Sequence, residues 1–140
     1  MIKNIKKRLN NQRGLTLVEL LAVIVILGII SAIAIPSIGG IIDKTKEDAK
    51  VAEAVQIINA AKLAHASNSK ILSWTLNGDA DSGNLGDYLS NVEDKDFEVT
   101  YDSVKKEYSI VNHDAFKVVN DKKADGTITE TNLLKHSGAK

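Results

Sequence analysis

Residues 13 to 19 read Arg13-Gly14-Leu15-Thr16-Leu17-Val18-Glu19 and open an apolar run that ends at Ile35. Glu19 is the one carboxylate in that run. A charge inside a segment fit for hydrocarbon is costly, so something should need it, and Glu19 is the first candidate for function. Thr16-x-x-Glu19 is also a capping-box pattern, in which Glu19 would satisfy backbone donors at a helix start. The two roles are compatible.

Other residues offer less chemistry. Asp79 and Asp81, with Asn77, Gly83 and Asn84 close by, could supply oxygen ligands to calcium, but the full twelve-residue loop with its terminal glutamate is missing. Asp, Asn and Gly are equally the residues of any solvated loop. His65, His113 and His136 show no metal-ligand spacing. His113-Asp114 resembles half of a catalytic pair, yet there is no cysteine and no serine in a nucleophile-elbow context, so both read as solvated loop residues. A membrane-anchored enzyme is therefore the least supported class, and no cofactor is implied. Lys105-Lys106 and Lys122-Lys123 could touch nucleic acid, although a solvated face is the simpler reading.

The elements that must carry these residues divide the chain. Residues 1 to 14 hold Lys3, Lys6, Lys7, Arg8 and Arg13 without an acid, whereas the rest has 13 basic against 18 acidic groups. That acidic balance argues against a general nucleic-acid surface. Residues 15 to 35 would form a helix of about 31 Å, enough to cross a bilayer, and the basic leader places the N-terminus in the cytoplasm. Ser31-Ala32-Ile33-Ala34 loosely offers a secretory cleavage site, but the length of the apolar run and Glu19 within it speak against ordinary signal cleavage.

Beyond it, Ile38, Ile41, Ile42, Ala49, Ala52, Val55, Ile58, Ala61 and Leu63 recur at helical spacing, so an amphipathic stalk is expected to continue the same helix to Ser67. Pro36, with Gly39 and Gly40, is its weak point; a break between two helices is the alternative to a long, kinked one. Past a polar loop around Asn77 to Asn84, strands are expected at Phe97 to Tyr101, Glu107 to Val111, Phe116 to Val119 and Thr127 to Thr131, with a helical turn at Leu85 to Leu89. The fold class is thus α+β: a long N-terminal α-helix with a small C-terminal antiparallel sheet on the stalk's apolar face. Trp74, Leu85, Tyr88, Leu89, Phe97, Val99 and Ile110 are the candidates for covering it. With no disulfide or thiolate metal site available, a head this small leans on a neighbour or on a metal held by other ligands.

The stretch Arg13-Gly14-Leu15-Thr16-Leu17-Val18-Glu19-Leu20-Leu21 resembles the processing site of type IV prepilins and pseudopilins, usually written G-F-T-L-V-E. The resemblance covers about 40 N-terminal residues. It includes the basic leader, Gly14 before the cut, Thr16 and Glu19 at their offsets, and a proline where the family places one, here Pro36. The family also has a helix-loosening glycine upstream, here Gly28, which is equally suited to close helix packing. The family most often has phenylalanine where this chain has Leu15, and many members close a C-terminal loop with a disulfide that this chain cannot form.

The resemblance implies a chain in four parts: leader 1–14, membrane and filament-core helix 15–36, stalk 37–67 and β-rich head 68–140. It implies cleavage after Gly14 by a prepilin peptidase, which also methylates Leu15, and pairing of Glu19 with the Leu15 amine of a neighbouring subunit. Its partners would be further copies of itself in a helical homopolymer, the peptidase/methyltransferase, and a pilus assembly platform with its ATPase. The protein would sit once through the cytoplasmic membrane and then in a surface filament serving adhesion, motility or DNA uptake. A pseudopilin of a type II secretion or competence machine is the alternative.

Overall fold

Helix α1 runs from Ile2 to Ser67 and contains Pro36. The computed structural model describes the backbone of residues 2–79, 81–119 and 123–138, and side chains from residue 16 onward. The helix also passes Gly39 and Gly40 without interruption, so the two-helix alternative is not what is found. The chain divides into two units, residues 1–43 and 44–140.

In the first unit, every described side chain from residue 16 to 42 is exposed except the half-buried Ala34. A methyl group added at Gly28, Gly39 or Gly40 would meet no described atom within 4 Å.

The second unit packs the end of α1 against a five-stranded sheet of order β2-β1-β3-β4-β5. The strands are β1 (Ser73–Thr75), β2 (Gly83–Asn84), β3 (Glu98–Asp102), β4 (Glu107–Val111) and β5 (Ile128–Thr129). Only the β1–β2 pair is parallel; the other neighbours are antiparallel. The alternation of β3 and β4 sets the register: Val99 faces Ile110 across the ladder and Trp74 faces Val99, which puts all three on the buried side of the pleat. Lys106, at φ 54°, helps turn the chain between β3 and β4, and Asp102 Oδ1 accepts the amides of Val104 and Lys105 there.

The core face of α1 agrees with the expected stripe at Val55, Ile58 and Ala61 and differs from it elsewhere. Val51, Ala54, Ile57, Ile58, Ala60, Ala61 and Ala64 are buried, whereas Ala49, Ala52 and Leu63 are exposed. The upper stalk carries two apolar stripes, and the one with the bulky Val51, Ile57 and Ile58 offers more area to bury under the sheet. Trp74, Leu85, Phe97, Val99 and Ile110 are buried as expected and Leu89 packs against them. Tyr88 does not cover the stalk: it is 44% exposed, in a turn closed by its own amide on the Leu85 carbonyl.

The third expected strand, Phe116 to Val119, is not a strand. Asn112 at φ 56° bends the chain off β4, and residues Asp114–Lys117 form a 3-10 helix capped by His113. The fourth shrinks to β5, because Thr129 Oγ1 accepts the Asn132 amide and starts helix α2 (Glu130–His136). An N-cap threonine followed by Glu130 suits a helix start and its positive dipole end.

Candidate assembly site

Gly14, Leu15, Thr16 and Glu19 all lie within α1, so the backbone around the Gly14–Leu15 bond is helical. Leu15 and Glu19, four residues apart, share one side of the helix, and Thr16 lies three residues before Glu19. Because α1 starts at Ile2, residue 16 is not at a helix start in the uncut chain; a capping box there would need a new terminus.

Glu19 is exposed, and it is the one charged residue from Thr16 to Ile42. Around it Leu17 is 69% exposed and, farther on, Ile33 72%. The helix is long and apolar enough to cross a membrane, and its most apolar stretch is nowhere buried within the chain. Such a surface does not stay in water; it takes lipid or other helices as its surroundings.

The head's polar candidates are already engaged. Asp79 Oδ1 accepts the Asp81 amide at 3.0 Å and the Ser82 amide and hydroxyl at 2.8 Å each. Those donors, the Ser82 hydroxyl foremost, hold its carboxyl below the usual carboxylate range. Asp81 is exposed. Among the described residues no group of three or more His, Cys, Asp or Glu could hold a metal ion. Lys105 pairs with Asp102 at 3.7 Å, while Lys122, of the second lysine pair, lies outside the described residues.

Two histidines are engaged in the head, and His113 is not the solvated loop residue expected. His65, on α1, shares a hydrogen bond of 2.7 Å with the Tyr108 hydroxyl and stacks within 4.7 Å of Tyr101 and 5.3 Å of Trp74. His113 is only 3% exposed. Glu53 of α1 and Asp94, both distant in sequence, act on its ring, so no local pattern announces this setting. His136 ends α2, beside a shallow cleft of about 400 Å³ lined by Lys44, Asp48 and Val51.

Residues 9–35 match the family model of the prokaryotic N-terminal methylation motif. The N-terminal segment of the chain therefore carries that motif. The chain is 37% identical over 75 residues to the type IV major fimbrial protein FimA of Dichelobacter nodosus, a match covering 54% of this chain and 44% of that protein. FimA of Dichelobacter nodosus strain VCS1703A matches with the same identity and coverage. The chain thus spans less than half the length of these curated relatives. No solved structure matches it significantly. The architecture, a long helix followed by a small, mostly antiparallel sheet, is α+β and pilin-like.

Proposed function

We propose that this chain is a structural subunit of a type IV pilus-like filament, without catalytic activity of its own. It is held in the cytoplasmic membrane by α1 until assembly and then transferred into a surface fibre. A prepilin peptidase cuts after Gly14, where no side chain obstructs the scissile bond, and methylates the Leu15 amine. The partners are further copies of the chain and the assembly platform with its ATPase.

The observation that carries this reading is the uncovered apolar helix with Glu19 as its one charge. Lipid is as apolar as a core of packed helices, so moving α1 from one to the other gains little hydrophobic free energy. The discriminating interaction must then be polar. In the bilayer a lone Glu19 carboxylate is unfavourable; beside the charged amine of a neighbouring Leu15 it is compensated, and only one axial register brings the two together.

Glu19→Ala tests this directly. The variant should still be cut, since the change lies beyond the scissile bond, yet remain in the membrane with fibre yield reduced at least about tenfold, the factor for ~1.4 kcal/mol. Normal yield of sheared fibres from that variant would overturn the pairing role. Fibres confined to the cell envelope, in place of long surface fibres, would point to a pseudopilin.

A further inference from the structure

His113 is a buried ionisable group for which filament assembly has no evident use. Its two ring nitrogens have different surroundings. Nδ1 accepts the Ala115 amide at 3.0 Å, which caps the 3-10 helix Asp114–Lys117 and assigns the proton of the neutral ring to Nε2. Nε2 makes no hydrogen bond among the described residues; Glu53 Oε2, on α1, lies 3.6 Å from it.

Charged groups reach the ring from every element packed on it: Lys50 and Glu53 from α1, Asp94 from the segment before β3, and Asp114 from its own segment. The carboxylates have other partners as well. Glu53 Oε1 accepts the Glu93 amide, Asp94 Oδ2 accepts the Asp114 amide at 2.8 Å, and Asp114 pairs with Lys117 at 2.6 Å and Lys50 at 3.5 Å. A proton added to the ring can go only to Nδ1, the atom that holds the Ala115 amide. The imidazolium would then oppose one N–H to another and could not cap the helix.

We propose that His113 is a pH-sensitive latch on the head. Neutral, it caps the 3-10 helix and keeps the buried Ala115 and Val119 in the core; protonated, it loses that cap and residues 112–119 loosen from the end of α1. Burial pushes the His113 ring below the ordinary imidazole range, outweighing the opposing pull of Asp94, Glu53 and Asp114. The native state therefore binds fewer protons than the unfolded chain, so stability rises with pH. The contribution is complete above the ordinary histidine range and is lost as pH falls through the lowered native value.

Hydrogen exchange on the full chain in detergent micelles, at about pH 7.5 and about pH 5, tests the latch after correction for intrinsic exchange. The amides of Ala115, Phe116, Val118 and Val119 should exchange about fivefold faster in acid, the factor for a lost N-cap. His113→Asn supplies a cap that does not titrate, and there the acid acceleration should vanish. Equal protection at both pH values in the wild type would overturn the proposal, as would the same acceleration in the variant, which would assign it to the carboxylates. Should the variant not fold, ring-nitrogen NMR of the wild type decides. A proton on Nε2 at neutral pH, with titration below the ordinary imidazole range, supports the latch; a proton on Nδ1 refutes it.

Discussion

Gly83 faces Trp74 across the parallel β1–β2 pair, and a side chain there has no room. A Cβ built on Gly83 would sit 2.3 Å from Trp74 Cδ1, 2.7 Å from Trp74 Nε1 and 3.1 Å from Ile71 Cγ2. Carbon atoms prefer about 3.5–4.0 Å, so the indole must retreat by more than about 1 Å. Trp74 is fully buried and stacked near His65, so it cannot retreat freely. Overpacking of this kind costs about 1–3 kcal/mol. A central loss of ~2 kcal/mol in a head of this size corresponds to a Tm lower by about 8–16 °C. Trp74 is the only tryptophan in the chain, so the fluorescence change during thermal unfolding in detergent reports on its burial in the head. Gly28→Ala, where a methyl group meets nothing described within 4 Å, is the control and should leave the head transition in place. A Gly83→Ala head that melts within about 2 °C of the wild type, with unchanged emission, would refute the packing of β1 on β2.

Three further changes separate the parts of the molecule. Ile57→Ala should destabilise the head by about 2–5 kcal/mol in denaturant titrations, as a cavity in the core does, whereas Leu63→Ala, exposed on the other stripe, should stay within about 0.5 kcal/mol; reversed sensitivities would put the wrong face of α1 under the sheet. Gly14→Val should leave the leader uncut in cells that express a prepilin peptidase, seen as an unprocessed band in membranes; normal processing would remove the reason for glycine at that position. Millimolar calcium should not shift the head transition, because Asp79 Oδ1 already accepts three donors; a rise of several degrees would show a cation site at Asp79 and Asp81.

The helix and the central hairpin were legible because long periods leave clear marks. Val99 and Ile110 alternate with polar neighbours, and apolar residues of α1 recur over many turns. Shorter elements carry no period. Two-residue β2 and three-residue β1 cannot alternate visibly, and seven-residue α2 is too brief to show a helical stripe. Asp125-Gly126 announces a turn but not that Thr129 then caps a helix. The stalk's buried side was placed correctly at Val55, Ile58 and Ala61 but not at Ala49, Ala52 and Leu63, because two apolar stripes coexist there and burial beneath the sheet is a tertiary choice. His113 was misread for the same reason: the segments that bury it, around Glu53 and Asp94, come from other parts of the chain. Residues 13 to 19 were readable because their cues are local in sequence, a glycine beside an apolar run that contains a single acid.

The most direct test of the filament reading is the N-terminal mass of this protein recovered from sheared surface fibres. A subunit processed after Gly14 and built into a pilus-like filament should begin at Leu15, carry a methyl group on its amine and be enriched in the fibre fraction. A mature protein that keeps Met1, stays in the membrane and is absent from fibres would contradict it.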